Sequence, residues 1–161
     1  MQIKTKTFSI TPKEFRQLLA TQYYRQRRNL LILYAVMIVI TFLLPFDETL
    51  VFLRIYFLSL FIFSLFAPFL INLKKTQPIL NFIARYWEID ENFISIYYED
   101  GSISKFRFEH LTKAIKLREY YLLYMTTVGY FHYLPISALE SEKDIHRFDL
   151  FLEGKQLIKL W

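Results

Sequence analysis

The sequence has no cysteine and, among 161 residues, only three glycines and five prolines. The absence of cysteine excludes a disulfide-stapled fold and agrees with a reducing compartment. With so few glycines, all at positions typical of turns or helix ends, the glycine-rich loops that cradle phosphates are excluded. Hydrophobic residues make up 54% of the chain, which excludes a disordered protein and raises the question of where they are concentrated.

Positive charge is concentrated before the first long hydrophobic run. Residues 1–29 contain seven basic residues and one acidic residue, and residues 30–73 contain one basic and two acidic residues. Residues 74–161 contain twelve of each sign and are neutral. A nucleic-acid-binding protein would normally carry its basic excess on the folded domain, so this distribution predicts no nucleic-acid partner.

Two uncharged hydrophobic runs occupy residues 30–46 and residues 55–73. As helices they would be about 26 and 28 Å long, close to the roughly 30 Å thickness of a bilayer core. Neither run has a polar face at helical spacing, so neither is typical of an amphipathic helix on a soluble protein. We therefore predict a transmembrane hairpin over residues 30–73, with helices at 30–46 and 50–73 and an acidic turn between them.

Basic residues stand at both outer ends of the predicted hairpin, whereas its turn is acidic. By the positive-inside rule, this arrangement predicts a multi-pass protein of the plasma (inner) membrane with both termini in the cytoplasm. The same residues are candidates for binding anionic lipid headgroups, or they serve only as the topology signal that most membrane proteins carry. They are Arg25, Arg27, Arg28, Lys74 and Lys75.

Three further residues are candidate anchors at the membrane interface. Tyr23 and Tyr24 lie beside the arginine cluster, where an aromatic belt is typical. Arg54 lies a few residues beyond the turn, so its long side chain is expected to reach the interface and meet Asp47 or Glu48. No deeper charge lies within the runs, which leaves a transport pathway almost nothing polar to line it.

The residues before the hairpin predict a strand followed by a helix. Residues 2–10 alternate in polarity and are rich in β-branched side chains, as strands are. Thr11, Pro12 and Glu14 match a capping box with proline at the first helical position, so a helix is predicted to run from there into the first span. Residues 1–29 are therefore predicted as a cytoplasmic strand and an amphipathic helix.

Residues 74–161 are predicted as a cytoplasmic β domain that ends in a helix. Short alternating segments with polar turns between them are typical of antiparallel hairpins. A capping pattern at Ser141 and Asp144 starts an amphipathic helix that ends near Gly154. The strands are predicted at residues 84–90, 93–98, 103–108, 113–118, 121–126 and 130–134.

Together with the N-terminal strand, this gives seven strands and a final helix. The arrangement resembles a pleckstrin-homology-like barrel, in which two packed sheets are capped at one end by the last helix. The pattern leaves open whether residues 3–10 join the sheet. The predicted fold class is thus α+β, a membrane protein with a two-helix transmembrane hairpin and a small antiparallel β domain with a C-terminal helix.

The same order of elements resembles the YcxB-like family of small bacterial membrane proteins. The similarity covers nearly the whole chain: a strand, a Thr-Pro-x-Glu-Phe helix start, a hairpin flanked by basic residues and a small β domain. Four stretches match a glycine turn, a Trp-x-x-Ile segment, a tyrosine-rich strand and an Ile-Pro-Lys segment, namely Gly101, residues 108–111, residues 120–125 and residues 134–136. This chain has Phe108 and Ile136 where the family often has tryptophan and a basic residue. The resemblance implies no catalytic residues.

The sequence offers little for catalysis or metal binding. His110, His132 and His146 are isolated from one another, and no G-x-S-x-G motif occurs. We therefore expect no catalytic residue, no metal and no cofactor. Adjacent tyrosines on a strand face opposite ways, so Tyr97 and Tyr98 are both covered only if a membrane, another subunit or a partner meets one face of the sheet.

These features favour an integral membrane protein that tethers a small cytoplasmic β domain at the inner leaflet, where it binds lipid or protein without catalysing a reaction. Its expected partners are the anionic lipids of that leaflet and either another protein or a second copy of the chain. The alternative is a transporter subunit or a membrane-bound enzyme of unknown reaction, in which Arg54, His110 or His132 would take part.

Overall fold

The computed structural model describes residues 2–45, 48–74, 81–125 and 131–158. The chain divides into two compact units, one comprising Met1–Ile10 with Phe82–Trp161 and the other Thr11–Asn81. We call the first the β domain and the second the hairpin unit. The β domain is thus built from both ends of the chain, and the hairpin unit is the segment between them.

The hairpin unit contains two long helices. Helix α1 spans Pro12–Leu43 and helix α2 spans Glu48–Lys74. The predicted capping box is confirmed, because the Glu14 N–H donates to the Thr11 hydroxyl (3.2 Å) and the Thr11 N–H donates to the Glu14 carboxylate (2.8 Å). From this start α1 continues without a break into the hydrophobic run, as predicted.

The turn between the helices begins earlier than predicted. Helix α1 ends at Leu43 rather than at residue 46, and α2 begins at Glu48 rather than at residue 50. Pro45 accounts for the early end, because a proline disfavours helical backbone in the residue before it. Leu44 is accordingly extended, with φ −78° and ψ 152°.

The described residues of the β domain form two antiparallel sheets. The strand order is β1–β2–β3–β4 in the first sheet and β5–β6–β7 in the second, so consecutive strands are neighbours. The predicted antiparallel strands and C-terminal helix are confirmed, although residues 126 and 130, predicted as strand ends, lie outside the described residues. The elements are β1 Ile3–Lys4, β2 Arg85–Ile89, β3 Phe93–Tyr98, β4 Ile103–Arg107, β5 Lys113–Lys116, β6 Tyr120–Tyr124, β7 Phe131–Pro135 and helix α3 Glu142–Gly154.

The N-terminal segment joins the first sheet, a point that the sequence pattern left open. Its regular strand is only β1, shorter than the predicted 2–10, and it pairs antiparallel with β2. After β1, the Thr5 N–H donates to the Trp87 carbonyl (2.9 Å). The Lys6 N–H donates to the Ala138 carbonyl (2.8 Å), in the chain that leaves the second sheet. The segment therefore bonds to residues associated with both sheets.

One hydrophobic core lies between the sheets and α3. Strand β2 alternates between buried and more exposed side chains, whereas four of the five residues of β6 are buried. Helix α3 begins at the predicted cap, where the Ser141 hydroxyl accepts from the Asp144 N–H (3.2 Å). The ring of Phe148 on α3 packs edge-on against Tyr121 of β6, with centroids 5.1 Å apart. The fully buried members of the core include Trp87, Ile94, Ile96, Tyr121, Leu123, Leu134, Phe148 and Leu152.

A polar contact fixes α3 to the second sheet. Asp149 accepts a hydrogen bond from the Tyr121 hydroxyl (2.7 Å) and forms an ion pair with Lys116. Because Lys116 comes from β5 and Tyr121 from β6, one carboxylate joins two strands to the helix. Burial of the Tyr121 hydroxyl and its hydrogen bond to Asp149 raise the pKa of Tyr121.

We expect Asp149→Asn to lower the free energy of unfolding of the β domain by about 1–3 kcal/mol, because hydrogen bonds to charged groups contribute more than neutral ones. The measurement is urea denaturation of the full chain in detergent, followed by near-ultraviolet circular dichroism. Glu153→Gln removes a charge from an exposed position of the same helix and should change the value little. Equal losses in the two variants would contradict this role of Asp149.

Candidate functional site

The hairpin unit exposes hydrophobic side chains along both helices. Two helices, Pro12–Leu43 and Leu50–Leu70, are long and apolar enough to cross a membrane. Only 6% and 11% of the residues in their hydrophobic windows are buried, whereas the core helix of a soluble protein is mostly buried. Side chains more than half exposed include Phe42, Leu43, Phe52, Phe63 and Phe66. The two helices therefore expose hydrophobic side chains of the kind that the rest of a soluble fold would normally cover.

Arg54 bonds to a backbone carbonyl that a proline leaves without its helical donor. In an α-helix the Thr41 carbonyl would accept from residue 45, but Pro45 has no N–H. Arg54 Nε donates to this carbonyl (2.9 Å), and Arg54 Nη2 donates to the Leu44 carbonyl (3.1 Å). The side chain is only 8% exposed, and its guanidinium lies over the Phe42 ring, 5.1 Å from the centroid. Arg54 thus joins α2 to the C-terminal end of α1, where the helix dipole favours a cation.

The acidic partners expected for Arg54 fall outside the described side chains. Asp47 lies outside the described residues, and only the backbone of Glu48 is described. Interfacial anchoring of Arg54 through these carboxylates therefore stays a prediction. The bonds from Arg54 to the Thr41 and Leu44 carbonyls were not predicted from the sequence, although the position of Pro45 indicates that the Thr41 carbonyl lacks its helical donor.

Tyr24 makes a second contact between the helices, farther from the turn. Its hydroxyl donates to the Leu65 carbonyl (2.7 Å). The neighbouring Ser64 carbonyl would take its helical donor from residue 68, which is Pro68. The Tyr24 ring packs edge-on against Tyr23, with centroids 5.7 Å apart. Tyr24 therefore bonds to α2, and the anchoring of both tyrosines at a membrane interface stays a prediction.

The predicted headgroup-binding arginines are exposed on α1. At about 100° per residue, Arg25 and Arg28 lie about 60° apart around α1 and Arg27 about 100° from Arg28, so the three occupy a little less than half of the helix circumference just before the hydrophobic run. Lys74 is the last residue of α2, and Lys75 lies outside the described residues.

The outer face of the first sheet carries an aromatic pair. Tyr98 is buried in the core, whereas Tyr97 points to the outside, as the alternation predicts. Tyr97 stacks on Tyr86 of β2, with ring centroids 4.9 Å apart and planes within 10°. Ile103 lies opposite Tyr97 on β4 and is 62% exposed. We call the surface formed by Tyr86, Tyr97, Ile103, Lys4, Glu88, Lys105 and Arg107 the outer sheet face.

Charged groups lie beside this aromatic pair. Lys4 forms an ion pair with Glu88 (3.0 Å), and its ammonium lies 4.8 Å from the centroid of the Tyr86 ring. The hydrogen bond from Lys4 to the Glu88 carboxylate raises the pKa of Lys4. The negative charge of Glu88 raises the pKa of Tyr97. The Tyr97 hydroxyl therefore keeps its proton at physiological pH.

A buried cation lies among aromatic rings at one end of β2. Alternation puts Arg85 on the same inner face as Trp87, a position that the sequence analysis did not single out. The guanidinium lies 4.2 Å from the ring centroid of Tyr133 and within 6 Å of those of Phe8 and Tyr98, at 5.6 and 5.7 Å. Phe8 is held there because it exchanges two backbone hydrogen bonds with Arg85.

His132 lies beside this cation and among rings. It stacks on Phe106, with centroids 4.9 Å apart, and meets the Trp87 ring edge-on at 6.3 Å. Burial, together with the positive charge of Arg85, lowers the pKa of His132 to about 4. The imidazole is therefore neutral at pH 7, and its surroundings are those of a packed core side chain. His110, by contrast, is exposed in the short 3-10 turn after β4.

No metal centre is evident in the part of the chain that the structure describes, where no three His, Cys, Asp or Glu side chains are grouped to hold an ion. A cleft of about 240 Å³ lies between the β2–β3 turn, the end of β4 and the end of α3. Its lining includes Arg107 and Lys155 as well as Glu91 and Glu109. Ligand pockets are usually about 300–1,000 Å³, so this small cleft of mixed charge indicates no particular ligand.

A family model described as YcxB-like protein matches residues 89–152. Over these residues the chain is similar to the YcxB-like family. The YcxB-like segment begins at the last residue of β2, contains β3 to β7 and ends within α3, so the expected resemblance is confirmed there. The match does not extend to the hairpin unit, for which the resemblance stays a prediction. No curated protein and no solved structure matches the chain.

We expect Arg54→Leu to lower the free energy of unfolding of the hairpin unit by about 1–3 kcal/mol, because the Thr41 and Leu44 carbonyls lose their donors. The measurement is titration of the full chain in mixed micelles with sodium dodecyl sulfate, followed by helical circular dichroism. Tyr56→Leu changes a half-exposed side chain of the same helix and is the matched control. If Arg54→Leu is as stable as the control, the contact contributes nothing.

The environment of His132 predicts that the β domain weakens in acid. Because the pKa of His132 is about 4 when folded and 6.5 ordinarily, the unfolded chain binds more protons between these pH values. Stability should be full above pH 6.5 and fall by up to roughly 3 kcal/mol as the pH is lowered to about 4. His132→Gln should flatten this dependence in urea titrations at several pH values. The exposed His146→Gln should retain it, and equal slopes in the two variants would refute the assignment.

Proposed function

We propose that the chain is an integral protein of the plasma (inner) membrane, whose hairpin unit crosses the bilayer twice and holds the β domain at the cytoplasmic surface. The observation that carries this proposal is the exposed hydrophobic surface of α1 and α2, of which so little is buried. In a bilayer, helices satisfy their own backbone groups while hydrophobic side chains face lipid. The arginines before the first run and Lys74 at the end of α2 support a cytoplasmic position of both ends.

The construction of the β domain supports an even number of crossings. Strand β1 precedes the hairpin unit and β2 follows it, yet the two strands pair. Phe8 and Arg85, on opposite sides of the hairpin unit in sequence, likewise exchange backbone hydrogen bonds. Segments that pair must be on the same side of a membrane. A two-helix hairpin returns the chain to its side of origin, whereas a single crossing would separate the strands.

The proposed role of the β domain is binding of lipid or protein at the inner leaflet, without catalysis. Its sheets of four and three strands followed by α3 support a pleckstrin-homology-like arrangement. The exposed Ile103 and the adjacent tyrosine pair support a binding surface, since exposed hydrophobic patches often mark interaction sites. Tethering to the membrane raises the local concentration of the domain there.

The alternative of a transporter subunit or membrane-bound enzyme has less support. Arg54 would have to engage a substrate, whereas its guanidinium donates to the carbonyls of Thr41, in α1, and Leu44, just after it. His132 would have to exchange protons, whereas burial among rings keeps its pKa near 4. Neither residue has the surroundings of a catalytic or transport group at neutral pH.

Single-cysteine labelling tests the topology, because the chain has no cysteine of its own. We expect Lys155→Cys in the β domain to react with a membrane-impermeant maleimide only after cells are opened. Glu48→Cys, at the start of α2, should react in intact cells. The two variants control for each other, since both must be expressed and labelled. Reaction of Lys155→Cys in intact cells, or a chain recovered in the soluble fraction, would refute the proposal.

A further inference from the structure

We propose that the outer sheet face docks onto the anionic surface of the bilayer that the hairpin unit crosses. This inference rests on the proposed function, because it takes the hairpin unit to be in the membrane. It assigns the lipid contact of the β domain to one surface and names the lipid chemistry, which is an anionic headgroup.

The centre of the outer sheet face is hydrophobic. Tyr86 and Tyr97 stack with centroids 4.9 Å apart, and Ile103 stands directly opposite Tyr97 on the next strand. Ile103 is 62% exposed, which is unusual for an isoleucine at a strand position. Within the described residues of the β domain, Leu150 on α3 is the other large hydrophobic residue that is more than half exposed. Leu150 is therefore a matched control for Ile103.

The border of the face is basic. In strands β1 to β4, the outward side chains include Lys4, Lys105 and Arg107 as cations and Glu88 as the acidic residue, which pairs with Lys4. The Lys105 ammonium lies 4.4 Å from the centroid of the Phe93 ring, and the Arg107 guanidinium lies 5.4 Å from it. The net charge of the face is therefore positive, which complements an anionic membrane surface.

This combination of side chains suits the interfacial layer of a bilayer. Tyrosine has a hydrophobic ring and a polar hydroxyl, and it is enriched where hydrocarbon meets headgroups. Contacts between an exposed cation and an aromatic ring are worth little, so Lys105 and Arg107 can exchange the Phe93 ring for a lipid phosphate. The exposed Ile103 side chain would then contact lipid instead of water.

Chain connectivity keeps the β domain within reach of the membrane that the hairpin unit is proposed to cross. The first sheet is the one attached to the hairpin unit at both ends, since β1 precedes α1 and β2 is the first strand after α2. Only seven residues separate Lys74, at the end of α2, from Phe82, where the β domain resumes. Whatever conformation they adopt, seven residues span at most about 25 Å. The domain therefore meets the leaflet at high effective concentration, and modest contacts are enough to dock it.

Spin labels on single cysteines test the docking in the full chain. Ile103→Cys is labelled and reconstituted into phosphatidylcholine vesicles, with and without phosphatidylglycerol. In the anionic vesicles we expect the label to collide severalfold more often with lipid-soluble oxygen, relative to a water-soluble nickel complex. A label at Leu150→Cys should remain accessible to the nickel complex in both. A label at Phe63→Cys, on an exposed position of α2, reports whether the hairpin unit is inserted.

Charge removal tests the electrostatic part. Lys105→Gln and Arg107→Gln are added to the Ile103→Cys chain, and each surface charge is worth about a fivefold change in the docking equilibrium. The pair should therefore reduce the docked-to-free ratio by about 25-fold in anionic vesicles. Lys143→Gln with Arg147→Gln removes two charges from α3 instead and should leave the ratio unchanged. Equal effects of the two pairs would overturn the assignment to this face.

Two further results would overturn the docking. In the first, the Ile103 label stays accessible to the nickel complex in anionic vesicles. If the Phe63 label is shielded from the nickel complex in the same vesicles, only the docking is refuted. If the Phe63 label is accessible to the nickel complex, the proposed membrane insertion is refuted as well. In the second, the Ile103 label is shielded from both reagents in either lipid and shows dipolar broadening between labels. The outer sheet face would then belong to an interface with a second copy of the chain.

Discussion

The β domain depends on pairing between segments that lie on opposite sides of the hairpin unit in sequence. Strand β1 completes the first sheet, and Phe8 supplies one of the rings around the buried guanidinium of Arg85. Without this pairing the edge of β2 would have free backbone groups, and a buried charge would lose part of its surroundings. The hairpin unit is therefore an insertion into a fold rather than an appendage, and its two ends lead to neighbouring strands.

The hairpin unit combines a polar connection between its helices with a hydrophobic exterior. Pro45 and Pro68 each lack the N–H that would donate to the carbonyl four residues earlier. In each case a side chain of the opposite helix donates a hydrogen bond to that carbonyl or to the next one along the chain. Arg54 does so at Thr41, and Tyr24 does so at Leu65. In hydrocarbon an unsatisfied backbone group is costly, so such bonds replace what water supplies to soluble helices. Hydrophobic side chains form much of the exposed surface of both helices.

Local patterns predict most of the β domain, because alternation and capping depend on neighbours in sequence. Six predicted strands agree with β2 to β7 to within two residues at each end, and Thr11 and Ser141 cap helices as expected. Contacts between distant segments are harder to predict. Alternation puts Arg85 inside, yet only the packed structure shows Phe8 and the other rings around it. The predicted first span ran past Pro45, whose effect on the residue before it ends the helix early.

The place of β1 in the sheet also dictates an order of events during synthesis. Strand β1 is synthesised before both hydrophobic helices, but its partner strand β2 follows them in the chain. The two hydrophobic helices are made in between, and under the proposed double crossing of the bilayer they would return the chain to the side on which β1 lies. That greatly shortens the loop that must close between Thr5 and Trp87, and with it the entropy lost on closure. Strand β1 therefore pairs only after both helices and β2 have been synthesised.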